Sequence, residues 1–199
     1  MAINLKNFLL SQNRKSIIGH FQDLNHIDGV AISAVSANLY NDPRDDLVLF
    51  YFRDGANCAS VYTQSKIISE NIKWNLKVKN NSIKALMINT RNANTFTGKL
   101  GFKGIVQIAE ELSKQLTIKM TQDEEKINLV KPNQILFGST GTIGETFPTE
   151  KIKQSIPTLV KKIKYTQNKY LWIKAAMGIL TTDLVPKLAM EECKIGNSD

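Results

Sequence analysis

Residues 47–52 read Leu-Val-Leu-Phe-Tyr-Phe, an unbroken apolar run of strand length. A strand with one solvated face alternates apolar and polar side chains; a run without polar positions is expected to be buried on both faces. The chain must therefore supply covering layers, and the rest of its patterning does so. Residues 30–35, VAISAV, alternate as a strand, and 83–88 form another β-like run. Short strands are predicted at 58–62, 127–130 and 135–137, and a weakly alternating one at 187–195. Asn41-Asp42-Pro43 and Asp54-Gly55 are turn signals. After Gly98 the period changes. Ile105, Ile108, Leu112 and Leu116 recur at helical spacing, with Glu110, Glu111 and Lys114 opposite. Pro148 is placed to open a helix with Glu150 in its first turn, and Pro157 is expected to kink or divide it. A further helix is predicted over about 167–180, stopping at Thr181-Thr182-Asp183 ahead of Pro186. Strand runs followed by long helices indicate an α+β or layered α/β domain.

Composition narrows the function classes. The 199 residues are 42% hydrophobic and 22% charged, the balance of an ordinary globular chain. No apolar run reaches bilayer-spanning length, so no membrane partner is expected. The apolar patch Phe8-Leu9-Leu10 is too short for a signal-peptide core; residues 1–20 are basic and acid-free, a composition shared with mitochondrial transit peptides. Residues 1–28 are read as an N-terminal extension and 29–199 as the body of the domain. Cys58 and Cys193 lie in predicted strands, with no C-x-x-C nearby, and read as buried thiols in a reducing compartment. His20 and His26 have no Cys or carboxylate at ligand spacing, so no metal site is proposed. Net charge is +8, and seven lysines without an acid fall between Lys151 and Lys174, interleaved with Tyr165, Tyr170 and Trp172. That stretch superficially resembles a nucleic-acid surface. A solvated helix face with its apolar residues turned inward accounts for it better, so no nucleic-acid partner is expected.

Three polar segments remain. Gly138-Ser139-Thr140-Gly141-Thr142-Ile143-Gly144 follows an apolar strand and precedes a helix. Its G-x-x-G-x-x-G spacing could cradle phosphate, but it is neither a dinucleotide fingerprint nor a P-loop. Asn89-Thr90-Arg91-Asn92-Ala93-Asn94-Thr95-Phe96-Thr97-Gly98 follows a second strand; its amides need hydrogen-bond partners if buried. Thr181-Thr182-Asp183 closes a helix and sets two hydroxyls and an acid at its end. Singly, each is ordinary turn and capping chemistry.

In this order the three segments resemble the ornithine acetyltransferase family. That family carries V-N-S-G-N-A-N-A-x-T-G, then S-T-G-x-I-G before a Pro-opened helix, then T-T-D-x-x-P-K; here they read INTRNANTFTG, STGTIG with FPTEK, and TTDLVPK. Looser matches at Gly29-Val30-Ala31, at 46–50 and at Ala59-Ser60-Val61-Tyr62-Thr63 extend the resemblance over nearly the whole chain from about Gly29. It implies a layered α/β sandwich, sheets flanked by helices, completed by a separate β chain cut from the same precursor. It also implies an acyltransferase of arginine biosynthesis in an α2β2 assembly. Acetyl passes from N-acetylornithine to glutamate through an acetyl-Thr intermediate on the N-terminal Thr of the β chain. The setting implied is the cytoplasm, or the mitochondrial matrix in a eukaryote. No cofactor is implied, with acetyl-CoA as an optional co-substrate for making N-acetylglutamate.

The family pattern assigns the oxyanion hole to Thr140, through its hydroxyl, and Gly141, through its N–H, and substrate contact to Thr181. The nucleophile and a substrate-contacting Lys fall beyond Asp199. The departures are Thr90-Arg91 for Ser-Gly and Thr95 for Ala; Arg91 adds a charge where the family has backbone freedom. Two other readings compete: a retargeted relative binding an acidic partner through its basic helix, and a phosphate- or nucleotide-binding domain using 138–144.

Overall fold

The computed structural model describes residues 25–78, 82–124, 127–183 and 185–192. Four strands form one sheet in sequence order: β1 (Val30–Val35), β2 (Leu47–Asn57), β3 (Ser82–Asn89) and β4 (Ile135–Ser139). The first two pairings are antiparallel and β3–β4 is parallel. A parallel pair needs a long crossover, and the helix from Gly98 to Glu124 supplies it. The helices are α1 (Glu70–Asn75), α2 (Gly98–Glu124), α3 (Thr149–Lys161) and α4 (Lys169–Gly178).

Side-chain parity along the strands explains the layers. Ala31, Val35, Leu47, Leu49, Tyr51, Ala85, Met87, Ile135 and Phe137 face α2 and α3 in the main core. Ile108, Leu112 and Leu116 of α2 and Ile152, Ile156 and Leu159 of α3 are fully buried there. The alternate residues Ile32, Ala34, Val48 and Phe50 pack against Ala175, Leu171 and Trp172 of α4 on the other face. The two-sided burial predicted for 47–52 is thus met by helices on both sides.

Several predicted elements are different in the structure. The Asp54-Gly55 turn does not end β2: the strand passes through it as an irregularity between Tyr51 and Ala56, with Gly55 at φ +81°. Residues 58–62 are not a strand. Pairing of β2 stops at Asn57 opposite Ser82, the first residue of β3, and Val61 beyond it is 98% exposed. Cys58 is accordingly half-exposed rather than buried; Cys193 lies outside the described residues. Residues 127–130 are not a strand either, because α2 side chains satisfy their backbone. Thr121 Oγ1 accepts from Asn128 N, Thr117 Oγ1 from Val130 N, and Ser113 donates to Val130 O at 2.7 Å. Pro157 does not divide α3, which runs unbroken to Lys161. It stands on the solvent face of the helix, where its ring meets no packed neighbour layer. Residues 187–192 have no regular structure, and 193–195 lie outside the described residues. Helix α1 was not anticipated, although Ser69 at its N-cap accepts from Ile72 N and Glu70 and Lys73 suit its dipole.

The basic stretch is as expected in burial. Ile152, Ile156, Leu159, Val160 and Ile173 point inward, while Lys151, Lys161, Lys162 and Lys164 are exposed.

Asp46, fully buried ahead of β2, accepts from Ala37 N (2.6 Å) and Leu39 N (2.8 Å). Burial pushes its carboxyl above the ordinary value, against the opposing pull of those two N–H groups and Arg44. Below the unfolded-state pKa both states hold the proton and Asp46 makes no difference. From there up to the raised folded pKa, the folded state keeps a proton the unfolded state has released, so stability declines as pH rises, and the penalty persists above. Urea titrations of wild type and Asp46→Asn at successive pH values from 3 upward should show this falling component in wild type alone. A stability difference between the two that does not vary with pH would contradict it.

Candidate functional site

β3 and β4 end side by side, with Asn89 opposite Ser139. Their loops continue the pairing after the strands stop. Thr140 N donates to Asn89 O (3.0 Å), Thr142 N to Arg91 O (3.0 Å), Ala93 N to Thr142 O (3.0 Å) and Gly144 N to Thr95 O (2.9 Å). The two polar segments singled out in sequence, some fifty residues apart, therefore form one double-stranded rim at the C-terminal ends of parallel strands. At Gly141 the two segments lie against each other. A Cβ there would lie 2.3 Å from the Arg91 carbonyl carbon and 2.4 Å from its oxygen, and φ is +137°. Any side chain would push the loops apart, so this position demands glycine.

Below the rim lies a buried amide network. Asn71, Asn89, Thr90, Asn92 and Asn94 are each 2% exposed or less. Asn89 donates to Thr90 O (3.1 Å) and Asn92 O (3.0 Å) and accepts from the Ser139 hydroxyl, which in turn accepts from Asn71. Asn71 accepts from Asn94 Nδ2 at 3.0 Å. Thr97 donates to Asn94 Oδ1 at 2.6 Å, and Asn92 Oδ1 receives Asn94 N at 2.8 Å. Asn92 Nδ2 reaches across to the carbonyls of Glu145 (3.1 Å) and Thr146 (3.3 Å). A satisfied network of this kind fixes its backbone closely, because breaking any member strands a buried polar group. It holds α1, the start of α2 and both rim loops to one another. Gly101 on α2 lets the amides in: a Cβ there would meet Asn94 Oδ1 at 2.4 Å.

On top of this frame, two donors are unspent. Among the described residues neither the half-buried Thr140 hydroxyl nor the exposed Gly141 N–H has a hydrogen-bond partner. They are adjacent in the chain, on a loop that backbone bonds at Thr140, Thr142 and Gly144 hold to the facing segment. Thr142 Oγ1 accepts from Arg91 Nη1 at 2.9 Å, and Glu145 pairs with the same nitrogen at 2.7 Å. Two preorganised donors with nothing to bind suit a developing negative charge.

Thr181 follows α4. That helix ends at the same edge of the sheet, since Gly178 lies against Val48 and Asp45. Arg44 ties its end down through Leu180 O (2.6 Å) and Met177 O (3.2 Å), and Asp46 O receives Thr90 N at 3.0 Å. Thr181 and the rim thus share one end of the molecule through the 44–46 segment. No direct hydrogen bond joins Thr181 to Thr140 or Gly141 among the described residues. Asn71, Glu145 and Gly101 were missed in sequence. Asn71 carried a faint signal in the Ser69-Glu70 helix start; Glu145 carried none. No group of three or more His, Cys, Asp or Glu among the described residues could hold a metal.

The ArgJ family model matches residues 31–199. The chain belongs to the ArgJ family. The arginine biosynthesis bifunctional protein ArgJ of Bartonella henselae is 30% identical over 178 residues, which is 89% of this chain and 40% of that protein. The chain spans about 40% of the length of the curated relatives it matches. Two crystal structures share its fold. One is an ornithine acetyltransferase complexed with ornithine from Mycobacterium tuberculosis, with TM-score 0.72 and 23% identity, covering 82% of this chain and 84% of that one. The other is the arginine biosynthesis bifunctional protein of Bacillus halodurans, with TM-score 0.68 and 22% identity, covering 82% of each chain. The ornithine acetyltransferase resemblance drawn from the three motifs is therefore correct at the level of family and fold.

Proposed function

We propose that this chain is the α part of an acyltransferase that moves acetyl from N-acetylornithine to glutamate, with Thr140 and Gly141 as its oxyanion hole. The observation that carries the reading is the pair of adjacent, unspent donors on a loop fixed by a buried network. The names of the family relatives support the reaction class.

The chemistry follows from the donors. The hydroxyl oxygen of the β-chain Thr attacks the acetyl carbonyl carbon, forming a C–O bond while the carbonyl π pair moves onto oxygen. That oxyanion is met by the Thr140 O–H and Gly141 N–H. The proton given up by the Thr hydroxyl passes to the leaving nitrogen, collapse breaks the C–N bond, ornithine departs as the amine, and acetyl-Thr remains. Glutamate nitrogen then repeats the sequence in reverse. Because the donors are already held in place, little reorganisation is needed as charge develops. Thr181 lines the substrate side at the same sheet end. Acetyl-CoA would enter as a second acyl donor to the same Thr, and an α2β2 assembly in the cytoplasm completes the proposal.

The test is an acetyl-transfer assay of the complete gene product with N-acetylornithine and glutamate, with and without acetyl-CoA. Transfer without acetyl-CoA is expected; none under either condition would refute the reading. The same preparation should resolve into two chains by intact mass, the second beginning with Thr. A single uncut chain with full activity would sink the self-processing part.

A further inference from the structure

Arg91 adopts φ +74°, a left-handed conformation that costs a side-chain-bearing residue free energy and that short polar residues such as Asn tolerate best. It is held there by rim hydrogen bonds on both sides, Thr90 N to Asp46 O (3.0 Å) and Thr142 N to Arg91 O (3.0 Å). The peptide following it is the surface against which Gly141 packs. Its side chain then crosses the rim. One guanidinium nitrogen, Nη1, donates both to Thr142 Oγ1 (2.9 Å) and to Glu145 Oε2 (2.7 Å). The Arg91 and Glu145 side chains are 39% and 47% exposed, so the ion pair adds little to stability and does not explain why the strained residue is there. Strain retained without a stabilising return, beside two unspent donors, points to a role at the site.

We infer that Arg91 is a positioning residue whose strap to Thr142 and Glu145 fixes the 140–145 loop so that the Thr140 hydroxyl and Gly141 N–H point to one place. The inference rests on the acyl-transfer reading for its consequence, though not for its geometry. The loop leaves β4 at Ser139 and, among the described residues, is otherwise held by backbone hydrogen bonds on its inner side and by Asn92 at Glu145 O and Thr146 O. The strap is the outer restraint. A glycine at position 91 would relax the backbone and remove it.

Three variants test this. Glu145→Ala and Arg91→Gly should each lower kcat about 3- to 10-fold while KM stays within about twofold, since positioning acts on the transition state. The double variant should fall no further than either single one, the mark of a shared interaction. Arg91→Lys, which keeps the positive charge on a stem one bond shorter, should recover part of the loss. Arg91→Gly should hold or raise the melting temperature, whereas a merely structural role would lower melting and turnover together. Unchanged kcat in Glu145→Ala, strictly additive losses, or a change in KM alone would overturn the proposal. An independent readout needs no activity. In the complete enzyme the backbone order parameter of Gly141 should drop in Glu145→Ala from the rigid range, about 0.85, toward the flexible range below about 0.6. An unaltered value refutes the strap. If the wild type transfers no acetyl group, the functional reading fails and the order parameter alone decides the positioning claim.

Discussion

Thr140→Val in the complete enzyme is expected to cut acetyl-transfer turnover by roughly 10²–10³, the usual loss for one oxyanion donor. Valine keeps the β-branched shape and removes only the O–H. The Thr140 hydroxyl has no partner among the described residues, so the folded protein loses no hydrogen bond and its melting temperature should hold. The loss should fall on kcat, because the bond strengthens only as the carbonyl oxygen becomes an anion. Self-cleavage passes through a similar tetrahedral carbon, so the assay should use protein already confirmed as cut. Ser139→Ala gives the opposite signature. Its hydroxyl is spent between Asn71 and Asn89, so removing it should lower stability first and turnover much less. A Thr140→Val enzyme with near-wild-type kcat would move the assignment elsewhere, to a backbone N–H or to Thr142.

Asn94→Ala is expected to have the largest effect on stability. Asn94 is fully buried; it donates to Asn71 Oδ1 at 3.0 Å and accepts from Thr97 at 2.6 Å. Alanine strands these partners, opens a small cavity, and must hold φ near +50° without the local bonding that lets asparagine do so. Together these should cost about 2–4 kcal/mol, or roughly 5–15 °C in melting temperature for a domain of this size. Thermal unfolding of this chain by circular dichroism measures it directly. A shift below about 2 °C would mean that the amide network is not what holds the rim loops.

Much of the framework was legible because periodicity reports burial. The alternation at 30–35 and the apolar run at 47–52 gave β1 and the core of β2, and the 3.6-residue spacing from Ile105 to Leu116 gave α2. The 127–130 stretch misled for the same reason. Ile127 and Leu129 look like a strand, yet they are 88% and 58% exposed, and the backbone between them is bonded by α2 hydroxyls. Composition cannot say which partner satisfies a backbone group. Pro157 misled because a proline on the exposed face of a helix does not end it, and which way the helix faces is set by packing.

At the site the division is sharper. By itself the sequence determined the family, through three ordered motifs, and with it the two residues that became candidate donors. It also determined that several amides in 89–94 would need partners if buried. Only the tertiary structure decided that those partners include Asn71 of an unforeseen helix and the Ser139 hydroxyl, and that Gly141 is pressed against the Arg91 peptide. It alone decided that Arg91 occupies a left-handed conformation and reaches Glu145. The physical reason is that local rules act over a few residues of one chain. These contacts join segments 23 to 68 residues apart, and their geometry is set by how β3, β4, α1 and α2 pack.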